Sequence, residues 1–228
     1  MIANDDAGSV VTPLVTDLDP LRTWFNAQSA HVRLLALVSS TCPMCIRGRR
    51  EAVEPLLATP GDVRMAWVFI DMLSSDSAQT ARAVAASVRA ARLTVFHDPA
   101  RVAGAGVGRT LGWRQGTAWD VYLVYRPGRQ WSSGEMPPPD FWYHQLRDRA
   151  IWEQTAECEV GDSAWTQCLD DTSEADPVHF ATGRALETAI ADAVMACAHA
   201  AAGQPGAPSE ADRASAQRGL LSRCGAGK

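Results

Sequence analysis

Short apolar runs and helical repeats alternate along most of the chain. Residues 32–40, VRLLALVSS, form an apolar run bounded by polar residues, which predicts a buried strand. Residues 63–72, VRMAWVFIDM, predict a second, and 93–98, LTVFHD, a third. Between them Ile46, Arg50, Val53 and Leu57 recur at helical spacing, and Ala81, Val84 and Val88 line one face of the segment 77–92, with Asp76 or Ser77 as its cap. Asp19-Pro20 opens a short helix through Trp24 and Phe25, and Pro99 opens another through Val102 and Val107. WDVYLVY (119–125), a turn at Pro127-Gly128 and RQW (129–131) predict a hairpin; after Pro137-Pro138-Pro139, DFWYHQLRDRA predicts a final helix. Strands that alternate with helices imply an α/β fold: a mainly parallel sheet with helices on both faces and an antiparallel edge.

Three regions follow from this pattern. Residues 1–19 read as a polar N-terminal arm, 20–150 as the α/β domain, and 151–228 as a loop followed by a helical C-terminal extension. Two Ala-rich helices are expected in the extension, over 181–202 and 209–224, packed against the sheet or each other. Leu186, Ile190, Val194 and Cys197 share a face of the first; Ala214, Leu221 and Cys224 share a face of the second.

Bulk properties narrow the function classes. A chain of 228 residues with 46% hydrophobic residues is long enough and apolar enough for a real core. Net charge is −5 and the densest basic cluster is only Arg47, Arg49 and Arg50, which argues against a nucleic-acid partner. The longest apolar run, Leu34 to Val38, is far short of a membrane span, and the acidic start MIANDD is unlike a signal peptide. A soluble, cytoplasmic protein is expected, with no membrane partner. Six cysteines in this length are too few for a disulfide scaffold, so each is judged by its own surroundings.

Cys42-Pro43-Met44-Cys45 stands out. The pair follows the first strand and opens the helix after it, with Pro43 suited to the first helical position. A thiol there faces unpaired N–H groups and the positive end of the helix dipole, which favours its thiolate. Cys45 lies one turn on, close enough to close a small ring. Such a pair performs thiol–disulfide exchange, with Cys42 as nucleophile and Cys45 resolving the mixed disulfide. The bland reading is two inert buried thiols.

Strand, C-x-x-C at the mouth of a helix, a strand ending FID, a helix, a strand ending in Asp, a helix and a hairpin: this order resembles the thioredoxin-like superfamily over roughly residues 20–150. LTVFHDPARVAGAGVG and WDVYLVYRPGRQW are similar to the strand–Asp–helix insertion and closing hairpin of its redoxin branch, which includes TlpA-like proteins and peroxiredoxins. The resemblance implies a thiol-disulfide oxidoreductase whose redox-active centre is Cys42 and Cys45 and which needs no cofactor. Its partners would be a protein or small-molecule disulfide or thiol substrate and a reductant or oxidant. The substrate groove would be formed by Pro43, Met44, Trp119 and Asp120. In three places the chain departs from the family pattern. Trp119 stands near the family's cis-proline, Thr41 stands where thioredoxins carry Trp, and VRLLALVSS holds no buried acid. A trans Ala118–Trp119 bond and an indole narrowing the groove are therefore expected.

Two other function classes remain open. Two thiolates near the Met44 thioether would suit Cu(I) or another soft ion, giving a metal-binding or transfer protein. A redox-silent scaffold docking a partner on the extension is the other. A closed zinc site needs two further ligands, for which His97 and His144 are candidates, although His97 reads better as a capping or core histidine and His144 as packing. Asp120 could assist proton transfer or serve a structural hydrogen bond. GAGVGR (104–109) lacks the third glycine of a dinucleotide fingerprint. Trp113, Trp119 and Trp131 read as core or groove wall. Cys158, Cys168, Cys197 and Cys224 read as structural.

Overall fold

The computed structural model describes residues 10–58, 62–88, 90–113, 117–132, 134–146 and 179–201. The elements run β1 (Val11–Pro13), α1 (Asp19–Ala27), β2 (Val32–Val38), α2 (Pro43–Gly48), a π turn (Arg49–Val53), α3 (Glu54–Ala58), β3 (Val63–Ile70), α4 (Ala78–Ser87), β4 (Leu93–Asp98), α5 (Val102–Thr110), β5 (Val121–Tyr125), β6 (Phe141–His144) and α6 (Gly183–Ala201). The six strands form one mixed sheet in the order β1-β4-β3-β2-β5-β6. β1, β4, β3 and β2 are parallel, whereas β5 and β6 run antiparallel to their neighbours. The architecture is α/β, a mixed sheet flanked by helices.

The continuous apolar runs become the central strands because both of their faces are covered. Every residue of β2 is buried, Arg33 included. Arg33, Leu35 and Leu37 share one face with Val121, Leu123 and Tyr125. On that face α1 sets the Phe25 ring edge-on to Tyr125 at 4.9 Å, with the Arg33 guanidinium 4.1 Å from the Phe25 centroid. The opposite face carries Ala36, Trp67, Tyr122 and Tyr143, and there the Arg49 guanidinium lies 4.9 Å from the Trp67 ring centroid. Leu186, Ile190, Ala193, Val194 and Cys197 of α6 join the same core as the sheet. The first of the two expected C-terminal helices therefore packs on the domain. The second, with Cys158, Cys168 and Cys224, lies outside the described residues.

The closing hairpin differs from the expectation. RQW is not a strand; β5 pairs instead with Phe141–His144, a segment whose position after three prolines suggested a helix. The aromatic run FWYH suits a pleated surface better than a helix, since Phe141 and Tyr143 face one side and Trp142 and His144 the other. Residues 126–131 are held to the end of α1 instead. Arg33 donates to the carbonyls of Phe25, Arg126 and Arg129, and Asn26 exchanges hydrogen bonds with the main chain of Trp131. β1 also places an edge strand inside the expected polar arm, paired with β4. Among the described residues no helix is long and apolar enough to cross a membrane.

The glycines of GAGVGR serve packing. Asp98 starts α5 by accepting from the N–H groups of Val102, Ala103 and Gly104. The loop entering β5 then crosses α5 so closely that a Cβ on Gly104 would fall 2.3 Å from Thr117 Cγ2 and 3.0 Å from the Ala118 carbonyl oxygen. Helix propensity alone makes Gly104→Ala stabilising by about 1 kcal/mol. Overpacking against the loop reverses that sign, and a net loss of about 1–2 kcal/mol is expected. Urea unfolding of the two proteins checks it.

Candidate functional site

The strands β2 and β3 end side by side, and the loops that leave them build the site. Asp76, from the loop after β3, ties the two together. Its Oδ1 accepts from Ser39 Oγ (2.9 Å), Ser40 Oγ (3.0 Å), Thr41 N (3.0 Å) and Thr41 Oγ1 (2.7 Å). Its Oδ2 accepts from the N–H groups of Met72 (3.0 Å) and Leu73 (2.9 Å). Ser39 Oγ in turn accepts from Cys42 N at 3.0 Å. The nearly buried carboxylate thus satisfies the donors of both loops and fixes the backbone that delivers Cys42. Helix capping falls to Ser77, whose side chain and that of Thr80 form a capping box.

Cys42 is the N-cap of α2, with extended backbone, and Pro43 begins the helix. Both thiols are free and fully buried. Cys45 is close enough to Cys42 for a thiol–thiol hydrogen bond. Its own pKa is pushed well up, first by burial, then by that hydrogen bond and by the neighbouring charge of Asp120. Cys45 is therefore a thiol at neutral pH and needs a proton acceptor before it can act as a nucleophile.

Asp120 stands beside it. This residue, just before β5, has a left-handed backbone with φ of 51°, rare outside glycine but tolerated by Asp. Its side chain is 1% exposed. Oδ1 accepts from Tyr122 Oη and Gln145 Nε2, each at 2.9 Å. Oδ2 has no hydrogen-bond partner among the described residues. Burial raises the Asp120 carboxyl to about 6, against the opposing effect of hydrogen bonds from Gln145, Tyr122 and the Cys45 thiol. A buried acid thus stands beside Cys45 although VRLLALVSS itself holds none. Arg49, buried and paired with Glu54, lies within electrostatic reach of Tyr122 and Cys45.

The close approach depends on Gly48. A Cβ there would fall 2.2 Å from Gln145 Nε2 and 2.3 Å from Tyr122 Oη. The one glycine of α2 leaves room for a polar group to reach the cysteine helix.

The other expected site residues are placed as follows. Pro43 is exposed and Met44 half-buried beside the pair. Trp119 is fully buried, and its peptide bond to Ala118 is trans. Its indole and the Asp120 carboxyl therefore sit in the interior and not on an open groove wall: the loop crossing α5 turns them inward. His97 binds Asp71 through Nε2 at 2.8 Å. His144 is buried at the end of β6, against Trp142 and Phe180. Neither gathers with the cysteines, and no group of three or more His, Cys, Asp or Glu among the described residues is placed to hold a metal ion. Cys197 is a buried residue of α6. Sequence reasoning missed Tyr122, Gln145 and the hydrogen-bonding role of Asp76. A glycine inside a helix, at Gly48, was the one local signal of a close approach.

No family model, no curated protein and no solved structure matches the chain, so the site is read from its own chemistry. Its titration gives a signed test. Asp120 is raised from 3.8 to about 6 in the fold. A raised acid contributes stability that is complete below its unfolded pKa and is lost as pH rises through its folded pKa. D120N removes this dependence, and Asn tolerates the left-handed backbone. Relative to the parent, D120N should gain up to about 3 kcal/mol between pH 4 and pH 8 in urea unfolding. A constant difference across that range would contradict the raised pKa.

Proposed function

We propose that this chain is a thiol–disulfide oxidoreductase on a thioredoxin-like fold, with Cys42 as nucleophile and Cys45 as resolving thiol. The observation that carries the reading is the contact of a helix-start cysteine pair with one buried carboxyl: Cys45 lies between Cys42 and Asp120. Support also comes from the sheet. The pair follows β2, which is flanked by parallel β3 and antiparallel β5, the arrangement the sequence resemblance implies.

The steps balance with these groups alone. Cys42 thiolate attacks a substrate disulfide; a bond forms between Cys42 Sγ and one substrate sulfur, and the other leaves as thiolate. Cys45 passes its proton to Asp120 and attacks Cys42 Sγ. The intramolecular disulfide forms, the second substrate thiolate leaves, and the substrate has gained two electrons. A dithiol or low-molecular-weight thiol reductant returns the pair to its starting state. In a cytoplasmic setting such thiols are abundant.

The two cysteines are unequal in this scheme, and that makes it testable. Cys45→Ser should accumulate reducible mixed disulfides on Cys42, seen as high-mass bands on non-reducing gels of acid-quenched lysate. Cys42→Ser should accumulate almost none. Equal behaviour of the two variants, with tight copper or zinc retention by the parent, would point to a metal-binding protein instead.

A further inference from the structure

Gln145, directly after β6, holds an unusual position. Its Nε2 lies 2.9 Å from Asp120 Oδ1, 3.1 Å from Tyr122 Oη and 3.1 Å from the Met44 carbonyl oxygen. Its main-chain N–H also donates to the Asp120 carbonyl at 3.2 Å. Met44 lies between the two cysteines, so one amide touches both the acid and the turn that carries the thiols. Gln145 is 2% exposed, which leaves its amide no water to turn to.

We propose that Gln145 is a positioning residue for the exchange reaction: its amide clamps the Asp120 carboxylate to the C-x-x-C turn and sets the distance over which Cys45 gives up its proton. The inference rests on the exchange reading above and adds a residue to it.

The direction of each hydrogen bond supports the role. Tyr122 Oη donates to Asp120 Oδ1, so its oxygen accepts from Gln145. An amide nitrogen has two hydrogens for three acceptors, so the group is shared among Asp120, Tyr122 and Met44. The Tyr122 and Gln145 donors converge on Oδ1, and Oδ2 has no hydrogen-bond partner among the described residues, which leaves it open to take the Cys45 proton. The titratable and charged groups around this carboxylate are Cys45 and Cys42 from the cysteine helix, Tyr122 from β5, and Arg49 from the π turn, which acts on Tyr122 and Cys45. Tyr122 is itself held in its neutral form by burial. The Asp120 carboxyl, at about 6, is raised toward neutral pH. Gln145 is the first of the groups that hold its carboxyl down.

The test follows the lifetime of a mixed disulfide on Cys42. Full-length protein is mixed with glutathione disulfide, quenched in acid at intervals, and the Cys42 adduct is quantified by peptide mass spectrometry from pH 4.5 to 9. In the parent, resolution should accelerate through a midpoint near the Asp120 pKa of about 6. In Gln145→Met, which keeps the volume and loses the amide, the midpoint should move up by about one unit, slowing resolution at pH 6 roughly fivefold and below pH 5 roughly tenfold. Gly48→Ala is the second variant. It suits the helix but drives Gln145 and Tyr122 away, so it should shift the midpoint in the same direction even if Gln145→Met does not fold. A purely structural role would lower stability and leave the midpoint in place, and an unmoved midpoint in the variants that fold overturns the inference. Failure of the exchange reading looks different: Cys45→Ser would then carry no lasting adduct on Cys42 at any pH.

Discussion

Two parallel strands that end together expose a row of main-chain donors, and here one carboxylate absorbs them. The six hydrogen bonds of Asp76 join the loop after β2 to the loop after β3. Everything at the cysteine pair depends on this junction, because the N–H of Cys42 is held by Ser39, which Asp76 holds in turn. A charged acceptor for several buried N–H and O–H groups makes each bond stronger than a neutral pair would be. The loop is thereby held firmly where it delivers Cys42.

A second carboxylate, with the opposite surroundings, faces the other cysteine. Asp76 is saturated with donors, whereas Asp120 has an oxygen without a hydrogen-bond partner among the described residues and a carboxyl raised to about 6. The saturated group anchors two loops, and the under-satisfied one stands beside the Cys45 thiol. Buried polar networks usually satisfy all members, so an open oxygen beside a high-pKa thiol is a meaningful exception.

The strands β2, β3, β4 and β5 and the helices α1, α4 and α5 were legible because each is a local pattern: a continuous apolar run or a repeat with a capping residue. β6 was not, because FWYH reads as a helix or a strand until its partner is known, and only pairing with β5 decides it. The cysteines were legible from their spacing and position. Tyr122 and Gln145 fell inside a predicted strand and a predicted helix, with nothing local to join them. Their meaning comes from β5 and β6 lying side by side, with Tyr122 opposite Tyr143 and Gln145 just beyond the ladder, over a glycine in α2. Periodicity records which face a residue takes and not which distant segment meets it. Trp119 shows the same limit: it lies just before β5 and not in the expected strand 119–125, and the close crossing of α5 by its loop is a long-range contact.

Neither sulfur of the pair has surface exposed to solvent. A reagent in free solution therefore cannot meet Cys42 by collision alone; the surroundings must first part. The speed of any encounter is then bounded by how often the fold opens there, and raising the reagent concentration beyond a point gains nothing. Burial of this kind shields both sulfurs from stray oxidants for as long as the fold stays closed.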